Sequence, residues 1–562
     1  MIKITDLHFT YPGAAIATLN GVDLEILQGE FIAIIGNNGS GKSTLCKTLN
    51  GLIPNFIVGE GSGSVTYNGE DLWKMPIGEI ANCIGYVYQD FENQIVCPTV
   101  SEDAAFSCLN YGHEDYVKKG LDALVLCDLL DKKDDYIWQL SGGQLHLLAL
   151  AGALALAPDV LILDEPIAQL DPAHATQMYE TLKELNEVHG KTIIVIEHHS
   201  EYIAEYCHNA ILLHEGRVLW KKDARSALRE CQQLIDCHIF PPQITVAAQQ
   251  IQQKSGWKQD QLLPTTIAEG KKFFEKMGIL PDFKVRQEVM NSQLAIQLSN
   301  IDVQYRSVKG ESKSLFTNFN LKIFAGDKIA LIGSNGAGKT TLMKLLVGLL
   351  KPKSGTIMLN GTDVTALRAE QIAAHISLVY QNPEQMLIKE SVRADIEFAM
   401  KERDIANYKQ QAQALITLFQ LDAIAESDGR LLSGGQMRRA SLAIGIALEP
   451  PILLLDEPTA NLDIATRQEI IRTLDLLKDT IETVVIATHD MQLVCEFANR
   501  IIVLADGEVI GDGPREVIFN NQAVRRQAGI EPPAIYQMAE QLGGSAYTIA
   551  EFVQAYQKEL CV

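Results

Sequence analysis

The chain has no Cys-x-x-Cys pair. Eight of its ten cysteines lie before residue 240, with no spacing that suggests a metal ligand set. A disulfide framework, a zinc site and an iron–sulfur site are therefore unsupported, and a reducing compartment fits this usage. It also lacks an apolar run near the roughly 20 residues that span a bilayer. The best candidate, residues 147–157, stops at Pro158-Asp159 and reads as a buried core helix. At the N-terminus, Met1-Ile2-Lys3-Ile4-Thr5-Asp6 has no basic region followed by an apolar one, so it is expected to open a strand and not to act as a secretory signal. Positive charge is scarce as well: 48 Lys and Arg stand against 70 Asp and Glu, a net −22. Such a surface repels phosphate backbones and anionic lipid, which disfavours a dedicated nucleic-acid binder. It is compatible with docking on the Lys/Arg-rich cytoplasmic loops of membrane proteins.

What the chain does have is size, cores and a duplication. Its 562 residues suit two to four domains at about 100–200 residues each. A content of 47% apolar and 21% charged residues matches a globular protein. Gly36-Asn37-Asn38-Gly39-Ser40-Gly41-Lys42-Ser43-Thr44 recurs as Gly333-Ser334-Asn335-Gly336-Ala337-Gly338-Lys339-Thr340-Thr341. Leu140-Ser141-Gly142-Gly143-Gln144 recurs as Leu432-Ser433-Gly434-Gly435-Gln436, and Leu163-Asp164-Glu165-Pro166 as Leu455-Asp456-Glu457-Pro458. Glu197-His198 falls opposite Thr488-His489. Collinear order at nearly constant spacing means tandem copies of one unit. A five-residue change in the spacing is confined to one place, where residues 55–63 form a longer Gly-rich stretch than residues 351–355, and a surface loop is expected there. Pro241-Pro242 and Thr266-Ile267-Ala268-Glu269 are matched by Pro532-Pro533 and Thr548-Ile549-Ala550-Glu551, so the repeat includes a C-terminal extension. The expected organisation is a nucleotide-binding domain over 1–225, its extension over 226–280, a linker over 281–293, a second domain over 294–518 and its extension over 519–562.

Each copy runs from an apolar strand into a Gly-rich turn and a helix, then through a mostly helical insert to two further apolar strands. Apolar runs without alternation suit parallel strands buried on both faces, which makes the fold class α/β with two tandem P-loop units. In G-x-x-x-x-G-K-[ST] the glycines let backbone N–H groups wrap phosphates, the Lys reaches the β/γ phosphates and the hydroxyl ligates Mg²⁺. Lys42 with Ser43, and Lys339 with Thr340, take these positions. Asp164 and Asp456 end apolar strands where a carboxylate can hold the Mg²⁺ shell, and Glu165 and Glu457 can activate a water for attack on the γ-phosphate. Ser141-Gly142-Gly143 and Ser433-Gly434-Gly435, each before a helix, offer a second phosphate-binding N-terminus per copy.

With that last motif the chain resembles the ABC-type ATPases over almost all of both halves. The resemblance implies that each signature closes over the nucleotide of the opposite P-loop, so that two ATP are clamped in one chain. Lys42 would then share a site with Ser433-Gly434-Gly435-Gln436, and Lys339 with Ser141-Gly142-Gly143-Gln144. It further implies Gln89 and Gln381 as Q-loop glutamines that also touch Mg²⁺, and Asp171 and Asp463 as D-loop acids. His198 and His489 would be the histidines that sense γ-phosphate, and Tyr11 and Tyr305 the aromatics stacking on adenine.

Gln89-Asp90-Phe91-Glu92-Asn93-Gln94 and Gln381-Asn382-Pro383-Glu384-Gln385-Met386, together with the Pro-Pro extension, resemble the energy-coupling-factor importers. That likeness implies an ATPase on the cytoplasmic face of the membrane, one copy per transporter. Its partners would be a transmembrane coupling protein and a small membrane protein that captures a vitamin, a vitamin precursor or a metal ion. The fused form is most similar to members assigned to uptake of a thiamine precursor, hydroxymethylpyrimidine. Two departures stand out: Phe91 holds the Pro position of the motif and Met386 its final Gln, and Met437-Arg438-Arg439-Ala440 faces Leu145-His146-Leu147-Leu148. The two sites are therefore expected to differ, with the Lys339 site the weaker. A soluble tandem ATPase acting on ribosomes or nucleic acid would need a charged helical connector or zinc cysteines, and neither is present. A purely regulatory nucleotide sensor fits poorly with two complete sets of hydrolytic residues.

Overall fold

The computed structural model describes every residue except 168–169, 256–261, 278–292, 307–311, 335, 460–463, 477–480 and 558–562. The chain divides into two compact units, Met1–Phe283 with Ala534–Val562, and Lys284–Pro533. Apart from Gln293, the expected linker lies outside the described residues.

In the first unit a six-stranded sheet runs Arg217–Asp223, Asn209–His214, Phe31–Ile35, Thr192–Ile196, Val160–Asp164, Ile84–Val87. All its pairings are parallel except that of the edge strand Arg217–Asp223. The strands Phe31–Ile35, Val160–Asp164 and Thr192–Ile196 are buried along their whole length. Alternate side chains feed two cores: Phe31, Ala33 and Ile35 enter one, Ile32 and Ile34 the other. That double burial explains why these segments show no polar alternation.

A second, antiparallel sheet of order Leu19–Ile26, Ile2–Thr10, Glu60–Tyr67, Glu70–Asp71 covers the second core with Ile2, Ile4, Leu7 and Phe9. Sequence reading anticipated only its first strand. It also placed residues 55–63 in a loop, but the strand Glu60–Tyr67 begins inside that stretch because Thr10, Phe9 and His8 pair with Glu60, Gly61 and Ser62. The unpaired part is short and carries the exposed Phe56 and Val58.

The second unit repeats both sheets. Its parallel one runs Ile376–Val379, Ile452–Asp456, Thr483–Ala487, Lys328–Ile332, Arg500–Ala505, with Glu508–Gly513 antiparallel at the edge. Ser312–Phe324, Leu294–Arg306, Ser354–Leu359 and Thr362–Asp363 form the antiparallel layer.

The four extension helices, Gln243–Ser255, Ile267–Lys276, Ala534–Gln541 and Ile549–Gln557, share one apolar core of Ile244, Ile251, Phe274, Ile535, Met538, Phe552 and Tyr556 within the first unit. The repeated Thr-Ile-Ala-Glu tetrapeptide is a helix start. Thr266 Oγ1 accepts from the Glu269 amide at 3.3 Å, and Glu269 Oε2 accepts from the Thr265 amide at 2.9 Å. At the other copy Thr548 Oγ1 accepts from Glu551 N at 3.2 Å, and Glu551 Oε2 from Tyr547 N at 2.8 Å. Thr548→Ala is expected to cost about 1 kcal/mol. Amide exchange over Ile549–Gln557 in the full chain should then speed up about fivefold where that helix opens locally.

Candidate nucleotide site

In the first unit the strand Phe31–Ile35 turns through Gly39 (φ 79°) and Gly41 (φ 101°) into the helix Lys42–Leu49. A Cβ on Gly41 would stand 2.8 Å from the Thr18 carbonyl oxygen, so both conformation and space demand glycine. The loop wraps its own lysine: Lys42 Nζ donates to Gly36 O at 2.8 Å and to Asn37 O at 3.0 Å. Asn38 and Gly39 form the exposed rim, and Ser43 and Thr44 open the helix. The Tyr11 hydroxyl lies 3.1 Å from Thr44 Oγ1, and the Tyr11 ring packs edge-on against Phe9. That puts an aromatic ring at the side of the phosphate loop.

Asp164 ends the strand Val160–Asp164 almost fully buried, with Oδ2 accepting from the Tyr86 hydroxyl at 3.1 Å. Burial raises its carboxyl above the ordinary range, and Ser43 and Lys42 offset part of that. Its other oxygen, Oδ1, is buried without a hydrogen-bond partner. An orphaned carboxylate oxygen beside a hydroxyl is a hard donor set of the kind Mg²⁺ takes. Glu165 adopts φ 50°, its amide donating to Ile196 O at 3.0 Å, which turns it out of the strand. Gln89 Nε2 donates to Glu165 Oε2 at 2.8 Å, and His198 Nε2 lies 3.0 Å from Oε1. Two predicted site residues thus converge on the carboxylate of a third, an arrangement able to orient a water and take its proton.

Ser141 caps the helix Gly142–Leu154: its hydroxyl accepts from Gln144 N at 3.3 Å, and Gln144 Oε1 accepts from Ser141 N at 2.9 Å. Gly143 has no room for a side chain, because a Cβ would come within 2.4 Å of the His174 ring. Asp171 caps Pro172–Glu187, accepting from His174 N at 3.1 Å and meeting His174 Nδ1 at 2.8 Å. His146 is buried against Phe91, and burial pushes its imidazole down to about 4, so the ring is neutral.

The second unit carries the same parts in a different arrangement. Gly333, Gly336 and Gly338 adopt φ 153°, 85° and 108°. Lys339 Nζ donates to Gly333 O at 2.5 Å and Ser334 O at 3.2 Å, and lies 3.3 Å from His489 Nε2. Thr340 Oγ1 donates to Asp456 Oδ2 at 3.2 Å, and Thr341 follows it in the helix Lys339–Leu346. Burial raises the carboxyls of Asp456 and, more strongly, Glu457, with Lys339 pulling Glu457 back down. His489 Nε2 is 3.5 Å from Glu457 Oε1, and Gln381 is exposed. Ser433 and Gln436 form the same cap at Gly434–Ile446, the Ser433 amide donating to Gln436 Oε1 at 3.1 Å. Gly434 and Gly435 open that helix. Arg438, at the position of His146, is buried and donates to Tyr380 O at 2.9 Å and Gln381 O at 2.6 Å. Burial lowers its guanidinium to about 10. Asn335, Asp463 and the Tyr305 side chain lie outside the described residues, although Tyr305 belongs to the strand Leu294–Arg306.

Sequence reasoning missed Tyr86 and the target of Arg438. The first had no signal beyond a polar tip in an apolar strand. The second was visible only as a difference between the two signature helices.

Residues 19–168 and 316–460 match the family model described as ABC transporter. The chain belongs to this family. Both matched regions are ATP-binding domains, and membership implies ATP hydrolysis. Methanosarcina mazei has a protein, provisionally assigned as an ABC transporter ATP-binding protein, that is 31% identical over 98% of this chain and 96% of its own length. A similarly assigned protein of Caldanaerobacter subterraneus is 30% identical over 98% of both chains. Among solved structures, CbiO1 of Clostridium perfringens, described as part of the ABC transporter complex cbiONQ, is 32% identical. It covers 42% of this chain and 93% of its own, with a TM-score of 0.38.

Proposed function

We propose that this ABC protein is the ATP-hydrolysing motor of an energy-coupling-factor importer, bound at the cytoplasmic face of the membrane. One copy, with both halves in a single chain, would serve each transporter. In this reading Lys42 and Lys339 hold the phosphates, Glu165 and Glu457 accept the proton of the attacking water, and His198 and His489 report the γ-phosphate. Gln89 and Gln381 orient the water, and Tyr11 and Tyr305 stack on the base. Ser43, Asp164 and Gln89 in one unit, and Thr340, Asp456 and Gln381 in the other, would hold Mg²⁺, which when bound neutralises charge on the phosphates. The two ATP would be clamped between the halves, each against the signature of the opposite half. The tether raises the local concentration of one half near the other toward millimolar.

The observation that carries the hydrolytic reading is the convergence of Gln89 and His198 on Glu165, at 2.8 and 3.0 Å. The importer type rests on the segment after Gln89. Gln94 ties it back to the sheet, accepting from Tyr88 N and donating to Tyr86 O, both at 3.2 Å. Met386 at the matching place packs against an apolar core. Two unlike Q-loop surfaces suit a membrane partner that is itself asymmetric, and among the described residues no helix is long and apolar enough to cross a membrane.

The test is purification of the tagged chain from detergent-solubilised membranes, with its companions identified by mass. The expected result is one transmembrane coupling protein and one small capture protein per chain. Recovery with ribosomal particles, or without membrane proteins, would overturn the importer reading. A vitamin, a vitamin precursor such as a thiamine precursor, or a metal ion would be the cargo.

A further inference from the structure

The strand Thr192–Ile196, which delivers His198, is followed at once by a buried acid that the proposed mechanism does not use. Glu197 is 2% exposed, and neither Lys nor Arg pairs with it in the hydrogen bonds of its carboxylate. A buried carboxylate is costly unless donors surround it. Here four do: Oε1 accepts from His198 N at 2.7 Å and His199 N at 2.9 Å, and meets His199 Nδ1 at 2.8 Å. Oε2 accepts from the Tyr179 hydroxyl at 2.7 Å. Burial pushes this carboxyl up, but His199, the amides and Tyr179 outweigh it, so the group stays ionised. Tyr179 is itself wedged between Phe31 and Tyr202, with near-parallel ring pairs at 6.3 and 4.9 Å, which fixes the far end of the anchor.

The second unit supplies the comparison. Thr488 stands in place of Glu197, and its hydroxyl accepts from Asp490 N at 3.0 Å. The amide of the switch histidine, His489, turns instead toward Glu457 Oε2 at 3.4 Å. The His489 ring then sits 3.3 Å from Lys339 Nζ and 3.5 Å from Glu457 Oε1, where His198 comes within 3.0 Å of Glu165. The acid of that loop is Asp490, paired with Arg467 at 2.7 and 3.1 Å, away from the histidine amide.

We propose that Glu197 is a positioning residue of the first ATP site: its carboxylate grips the main chain at His198 and so presents the imidazole to Glu165. The proposal rests on the hydrolytic reading of Glu165. A Thr side chain is too short to span from the two amides to Tyr179, so the first site owes its close His–Glu contact to this one residue. The two sites differ here for a reason separate from their signature helices.

The test uses the full chain carrying Glu457→Ala, so that the remaining turnover belongs to the first site. Glu197→Thr is expected to lower kcat about tenfold or more with the KM for ATP unchanged, as a small misplacement of a catalytic contact does. Glu197→Gln, which keeps an oxygen for the two amides, should restore most of the rate. The deciding readout is coupling with His198: in a His198→Ala background, Glu197→Thr should lower kcat no further, because it acts through that ring. A purely structural role would give additive losses, and that result overturns the proposal, as does parental turnover of Glu197→Thr. If the Thr variant does not fold, Glu197→Asp, one methylene short of the amides, is measured in the same cycle with the same two outcomes. Undiminished hydrolysis after Glu165→Ala in the same chain would instead remove the hydrolytic reading, so the two failures are distinguishable.

Discussion

Glu165→Ala is expected to remove most of the chain's ATPase activity, whereas Glu457→Ala should leave the larger part of it. A positioned general base contributes about 10²–10⁴-fold, so each substitution silences its own site and the residual rate reports the other. The first site has Gln89 and His198 on its glutamate at 2.8 and 3.0 Å. The second has an exposed Gln381, a histidine at 3.5 Å, and a glutamate whose proton burial retains above the ordinary range. A base that holds its proton is a poorer acceptor near neutral pH, which is the same direction of asymmetry. Steady-state turnover of the two variants at saturating ATP decides it, and equal residual activity would contradict it.

Arg500→Leu is expected to destabilise the second unit by about 3–5 kcal/mol, the usual cost of removing one partner from a buried ion pair. Arg500 Nη1 meets Asp327 Oδ2 at 2.8 Å, and Nε and Nη2 grip both oxygens of Asp512 at 2.7 Å. Nη2 also donates to Lys322 O at 3.0 Å. The guanidinium therefore ties together the sheet strand, its antiparallel edge and the turn before Lys328–Ile332, and its loss strands Asp327 in the interior. The first unit solves the same problem with Lys221 on Glu30 at 2.7 Å and Asn209 on Glu30 at 3.0 Å. Because two units unfold in one chain, a single Tm is not well defined. Hydrogen exchange resolved by peptide is the measurement: protection should fall over residues 328–332 and 500–513 and stay unchanged over 31–35 and 192–196.

The parallel strands and phosphate loops were legible in the sequence because both are local. Five apolar residues in a row before a Gly-rich turn have few alternatives, and Gly41 or Gly338 at high positive φ leaves its mark in the residue type itself. The Asp-Glu pairs were legible for the same reason. The antiparallel layer was not, since Ile2, Ile4, Leu7 and Phe9 are spaced irregularly by a register shift within Ile2–Thr10. The start of Glu60–Tyr67 was hidden because its Gly and Ser residues read as a loop until paired with the first strand. Thr-Ile-Ala-Glu is visible as a repeat, and its capping-box spacing contains the reason. Glu197 carried no local signal, because what matters about it is the reach from the end of its strand to Tyr179 on the helix Pro172–Glu187.

In the proposed function two ATP are trapped within a single chain. The most direct measurement is the nucleotide content and mass of the Glu165→Gln, Glu457→Gln double variant after incubation with ATP and removal of free nucleotide. The expected result is two ATP retained per chain in a species of one chain's mass, 61.9 kDa. Retention of ATP only in a species of twice that mass would mean the halves pair between chains, and would contradict it.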